Sequence, residues 1–241
     1  MSLEGKSILV TGANRGIGKA LVDEALARGA KRVWAGARQP FTHADPRVSA
    51  LILDLTSPTE VAAAAAAVDS LDIVVNNAGV ALFDNLTERA ALEESLTVNL
   101  FGTYDVTQAF LPLLIESRGA IVNVASLAAL AAVPVMPAYS VSKAAIFSLS
   151  QALRALLASR GVSVHAVLLG PVDTDMTRGL EIPKASPEAV ARGIFEGVAC
   201  GQEEIFPDPM SATLAEAWRR GPVKELEQMN AGLLPDQPVA A

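Results

Sequence analysis

The chain predicts an α/β fold: one domain in three layers, with a doubly wound parallel sheet covered by helices on both faces. Short apolar runs such as Ser7-Ile8-Leu9-Val10, Leu71-Asp72-Ile73-Val74-Val75 and Ala120-Ile121-Val122-Asn123-Val124-Ala125 alternate with longer stretches of helical period. Continuous apolar runs belong to parallel strands buried on both sides. The composition, 51% apolar but only 5% aromatic, supplies a core of Ala, Val, Leu and Ile suited to that layering. No Pro/Gly/Ser-rich linker divides the 241 residues, a length that suits one sizeable domain.

The first strand, within 6–11, ends in Thr11-Gly12-Ala13-Asn14-Arg15-Gly16-Ile17-Gly18, and a helical pattern follows through Leu21, Val22, Ala25 and Leu26. Strand, glycine turn and helix together aim backbone N–H groups and a helix N-terminus at a phosphate. The second strand is Arg32-Val33-Trp34-Ala35-Gly36, and Ala37-Arg38 at its end offers a cation in place of an acid. An acid there would suit the ribose 2′-hydroxyl of NAD, whereas arginine suits a 2′-phosphate. Arg38, with Arg15 in the glycine turn, therefore favours NADP(H) over NAD(H).

Residues 39–47 carry two prolines and no periodicity, so this crossover is expected to lack a full helix. A third strand over 50–53 runs into Asp54-Leu55, and Thr56 or Ser57 can cap a helix with Pro58 in its first turn. The alanine run of 62–67 needs no function, since Ala favours helix and permits close packing. The fourth strand, 71–75, runs into Asn76-Asn77-Ala78-Gly79, where a ligand can approach closely. A long helical region over 87–116 holds Asn99 among Leu96, Val98, Leu100 and Phe101; so placed, it must find partners, which can be backbone carbonyls alone. Of the two histidines, His165 lies within a strand and reads as packed, and His43 lies in the irregular crossover.

Ser126 closes the strand of 120–125, and thirteen residues later begins Tyr139-Ser140-Val141-Ser142-Lys143. Helical residues four apart share a face, so Tyr139 and Lys143 project into one space. An ammonium beside a phenol favours the phenolate and draws its pKa down from about 10, which makes Tyr139 a candidate general acid/base. Any long helix can carry such a pair, and any strand can end in serine. The loop of 127–137 is apolar, and Leu127, Leu130, Val133, Val135 and Met136 either line a substrate space or pack against a neighbouring element. A strand over 162–168 ends in Gly170-Pro171-Val172-Asp173-Thr174. Ser186 with Pro187 starts another helix, Glu204-Ile205-Phe206 is a short strand, and 221–241 form a weakly specified tail.

The net charge of −7 without a Lys/Arg cluster gives no electrostatic footprint for nucleic acid or an anionic membrane. The start lacks a signal-peptide pattern. A single Cys, Cys200, excludes an internal disulfide framework and a Cys-based metal cluster, so no metal is expected and a reducing cytoplasm fits.

Taken together, these motifs resemble the short-chain dehydrogenase/reductase family, from Lys6 to Phe206 and in the family's order. The resemblance implies a Rossmann-type fold in which Gly12, Gly16 and Gly18 cradle the cofactor pyrophosphate, with Asn14, Arg15 and Ile17 in the same turn. Asp54 beside Leu55 would meet adenine, and Asn77, Ala78 and Gly79 would line the adenosine side. Val172 and Thr174 would hold the nicotinamide carboxamide. Tyr139 would protonate a carbonyl oxygen that Ser126 also bonds. Lys143 would lower the Tyr139 pKa and bond the nicotinamide ribose, and Asn99 would hold a water that joins Lys143 to solvent.

Two departures stand out: Leu169 occupies the family's usual proline before Gly170, and no Asp-Gly-Gly stretch follows the last strand. A homodimer through the helices of Asn99 and Tyr139 is implied, and a tetramer is not. The substrate lid falls between Thr174 and Ser186, with Met176, Leu180 and Ile182 as its apolar members. Such a short lid fits a small or medium uncharged ketone or aldehyde. The alternatives are alcohol or sugar oxidation at the same site, and a nucleotide-binding regulator without turnover.

Overall fold

The computed structural model describes residues 2–232. Seven strands, all parallel, form one sheet: β1 (Ser7–Thr11), β2 (Arg32–Ala37), β3 (Val48–Ile52), β4 (Ile73–Asn76), β5 (Ala120–Val124), β6 (Ser163–Val167) and β7 (Glu204–Ile205). Their order is β3-β2-β1-β4-β5-β6-β7. The chain leaves β1 towards one edge and returns to β4 on its other side, so the loops after β1 and β4 part and open a crevice at the carboxyl ends.

Helices α1 (Gly16–Ala27) and α6 (Pro187–Ala199) cover one face. The other carries α2 (Pro58–Ala67), α4 (Thr103–Ser117) and α5 (Pro137–Leu157), with α3 (Arg89–Leu96) against α5. The central strands β1, β4 and β5 are buried at every position, which explains their unbroken apolar runs. As expected, Ser57 caps α2, with Pro58 in its first turn, and Ser186 caps α6 beside Pro187. No helix among the described residues is long and apolar enough to cross a membrane.

The long helical region expected over 87–116 runs from 89 to 117, with a π-helical segment (Thr97–Gly102) between α3 and α4. Two expectations are corrected. The third strand begins two residues earlier than expected, since Val48 pairs with Val33 across the sheet. After β7 come α7 (Pro209–Ala212) and α8 (Ala215–Arg219), and the tail expected to be weakly specified contains α9 (Pro222–Ala231). Distant contacts order α9, where Lys224 meets Glu204 and Glu227 at 3.0 Å. The remainder of the expected tail, 233–241, lies outside the described residues.

Candidate active site

Gly12 and Gly16 both adopt positive φ, 66° and 52°, the left-handed conformation glycine adopts without strain. Gly18 is required by proximity instead, because a Cβ there would lie 2.0 Å from the Gly12 carbonyl oxygen. Thr11 Oγ1 accepts the N–H groups of Asn77 and Ala78, each at 3.0 Å. Asn77 Nδ2 donates back to the Thr11 carbonyl at 2.9 Å. These bonds lock the ends of β1 and β4 together at the floor of the crevice.

Above that floor is a cleft of about 740 Å³. It gathers Gly12, Asn14, Arg15, Gly16, Ile17, Gly18, Arg38, Asp54, Leu55, Asn77, Ala78, Gly79, Tyr139, Lys143 and Thr174 from separate stretches of sequence. Val172, Ser126 and Asn99 are buried beside the cleft rather than lining it. Arg38 is exposed at the lip. The Thr56 N–H and hydroxyl, followed by Arg38, hold the Asp54 carboxyl below the usual carboxylate range. Met176, expected on the lid, is in the lining, whereas sequence reasoning missed Val80, Glu93, Glu94, Thr97 and Val98. These follow the end of β4 or lie on α3 and the π segment, where no motif marks them.

Tyr139 lies in the first turn of α5 and Lys143 one turn later, both buried, with the ammonium 5.6 Å from the phenol ring centre. Lys143 Nζ donates to the Val124 carbonyl at 2.7 Å. Ser126 Oγ accepts the Ala128 N–H at 3.1 Å, and its hydroxyl is hydrogen-bonded to Tyr139. The expected lowering of the phenol pKa by Lys143 is not what this arrangement produces. Burial raises the phenol above 10, opposed by the Ser126 bond, while burial pushes Lys143 down to about 8.

Both polar atoms of the Asn99 side chain are engaged. Its Oδ1 accepts the Val80 N–H at 2.8 Å, and its Nδ2 donates to the Val80 carbonyl at 2.9 Å and to Ser142 Oγ at 2.8 Å. It thus ties the loop after β4 to α5, from a π-helical segment of the kind found at functional sites. A Cβ on Gly79 would come within 2.9 Å of Asn99 Oδ1, so this crossing needs glycine. In the loop of 127–137, Leu127 and Leu130 pack on the core formed by Ile146, Phe147 and Leu168 and do not line the cleft.

A dinucleotide-sized cleft, opening over a glycine turn and ending at a buried Tyr–Lys pair, defines an α/β oxidoreductase of the nicotinamide type. The short chain dehydrogenase family model matches residues 6–184, and the chain belongs to the short-chain dehydrogenase/reductase family. It is 38% identical over 199 residues to the short chain dehydrogenase pigC of Monascus ruber, covering 73% of this chain and 66% of that protein. It is 34% identical over 193 residues to the 3-oxoacyl-(acyl-carrier-protein) reductase FabG of Vibrio cholerae, covering 75% of this chain and 79% of the relative. A short chain dehydrogenase from Burkholderia cenocepacia, solved in complex with NADP, superposes with a TM-score of 0.87 at 33% identity, covering 95% of this chain and 98% of that one.

Proposed function

We propose that this chain is an NADPH-dependent reductase of small or medium uncharged ketones and aldehydes. The observation that carries the reading is the meeting of Ser126, Tyr139 and Lys143 at one end of the cleft. A phenol placed there can give its proton to a carbonyl oxygen, and Arg38 at the end of β2 favours NADPH, the cofactor of reduction.

The residues present fit the cofactor. The glycine turn leaves room where a Cβ at Gly12 would meet Ala78 at 3.1 Å, and it opens α1, whose N-terminus favours a phosphate. Arg38 at the lip, with Arg15 in the turn, suits a 2′-phosphate, and the NADP complex of the Burkholderia relative agrees. When bound, NADPH supplies the hydride. Tyr139 gives its Oη proton to the carbonyl oxygen, and Ser126 turns its hydroxyl to the same oxygen, stabilising the charge that develops there. Lys143 orients the cofactor ribose and holds a positive charge beside the phenol after its proton has left. Asn99 holds Val80 and Ser142 in place around this group.

Met176 brings an apolar side chain from the short lid, and Glu93, Glu94 and Asp175 line the cleft. The short lid with its apolar Met176 suits free carbonyl compounds better than the carrier-bound acyl groups named for the Vibrio relative. A regulator without turnover would not need a buried lysine, which destabilises the fold. The single Cys200, free and exposed, accords with a reducing cytoplasm. The exposed Phe101, Tyr104, Val141 and Leu156 on the π segment, α4 and α5 support a homodimer through these helices.

The test is loss of NADPH absorbance across aliphatic, aryl and dicarbonyl compounds, with NADH and a 3-oxoacyl carrier-protein thioester in parallel. NADPH-dependent turnover of free carbonyls that drops at least about a hundredfold in Tyr139→Phe is expected. Turnover confined to the thioester, or undiminished in the variant, would overturn the reading.

A further inference from the structure

We propose that Asp208 is a positioning residue that sets the turn after β6, and with it the nicotinamide end of the cleft. The proposal rests on the NADPH reading above. It concerns a residue beyond the 6–184 segment that the family model matches.

The sheet register brings Asp208 to this place. Val167 of β6 pairs with Ile205 of β7, and three residues further along each parallel strand stand Gly170 and Asp208. Asp208 Oδ2 accepts the Gly170 N–H at 2.9 Å and the Ser211 hydroxyl at 2.7 Å. Oδ1 accepts the Met210 and Ser211 N–H groups at 3.1 and 3.0 Å, capping α7. The residue is 4% exposed, so these four donors take the place of its water shell. A carboxylate accepts at both oxygens, whereas an amide would turn an NH2 towards two donors.

The turn held in this way is the one in which Leu169 replaces the proline usual in the family. Pro171 fixes φ at its own position, but with leucine at 169 the first half of the turn has no covalent restraint and is held by bonds from outside. Leu127 N–H donates to the Leu169 carbonyl at 2.9 Å, and Ala185 N–H to the Pro171 carbonyl at 3.0 Å. Asp208 supplies the hold between them. Packing reinforces it, since a Cβ on Gly170 would lie 3.0 Å from Asp208 Oδ1 and 3.2 Å from Met210 Sδ. Leu169 and Thr174, on either side, line the cleft. Displacing Gly170 therefore acts first on the wall against the nicotinamide, while Asn77, bonded to the Thr11 and Gly12 carbonyls, holds the start of the glycine turn at the pyrophosphate end.

Calorimetric titration of the full chain with NADPH and with 2′-phospho-ADP-ribose, which lacks the nicotinamide, separates the two ends of the cleft. Asp208→Asn is expected to weaken NADPH about tenfold, the scale of one lost charge-assisted hydrogen bond. The truncated ligand should bind as to wild type. Gly170→Ala, which crowds the same contact from the turn side, should reproduce the selective loss. Lys224→Ala, which loosens α9 on β7 without touching Asp208, should lower the melting temperature with both affinities kept. Equal weakening of both ligands in Asp208→Asn, or no weakening of either, would overturn the proposal. Wild-type protein that binds neither ligand would remove the NADPH reading itself, and the proposal with it.

Discussion

Lys143 is 6% exposed, with its ammonium turned to a single backbone carbonyl, that of Val124. A charge so placed destabilises the fold, because desolvation outweighs what one carbonyl returns. With a folded pKa of about 8 against an ordinary 10.5, the cofactor-free protein carries the full penalty below pH 8. The penalty fades as pH rises from 8 towards 10.5, where the unfolded chain binds the extra proton. Thermal unfolding of wild type and Lys143→Met between pH 7 and 10 should therefore show wild type gaining on the variant as pH rises. Parallel curves would refute the buried, depressed lysine. Tyr139 and Lys143 were legible because helical spacing alone places them together. That burial would raise the phenol rather than Lys143 lowering it was not legible, since desolvation depends on what packs around the ring.

At the scale of elements, the strands and caps beside the crevice follow from local signals, while the C-terminal helices depend on distant partners. Glu204 on β7 and Lys224 on α9 are both buried, and Arg154 of α5 joins them, 2.9 Å from Glu204 and paired also with Glu227. Lys224→Ala would leave three acids, Glu203, Glu204 and Glu227, sharing the arginine. It should cost about 2 kcal/mol in urea unfolding, below the range for a wholly unpaired buried charge because Arg154 remains. Arg220→Ala, from an exposed pair with Glu216, should change stability by less than about 0.5 kcal/mol. Equal effects of the two would show that the cluster is not what holds α9. Pro222 and the helix formers Lys224, Glu225, Leu226, Glu227 and Gln228 favour a helix locally, but where it packs is set by anchors in α5 and β7.

The whole molecule is one parallel sheet whose crevice forms where the strand order reverses, and the proposed homodimer is a property at this scale. Phe101 and Leu156 are each 55% exposed on the π segment and α5. Sedimentation equilibrium should give twice the 25.0 kDa chain mass, and Phe101→Glu with Leu156→Glu should yield a folded monomer. A monomeric wild type would exclude the pairing.

Local chemistry in the sequence by itself determined the layered α/β class, the glycine turn, the Ser126–Tyr139–Lys143 group and the cation at the end of β2. Each rests on residues close together in the chain or on a strand running into its loop. Tertiary structure alone decided that Asn99 fastens a loop, that Leu127 and Leu130 belong to the core, and that Asp208 stands opposite Gly170. These facts depend on burial, and on a register between strands nearly forty residues apart, which local propensity does not encode.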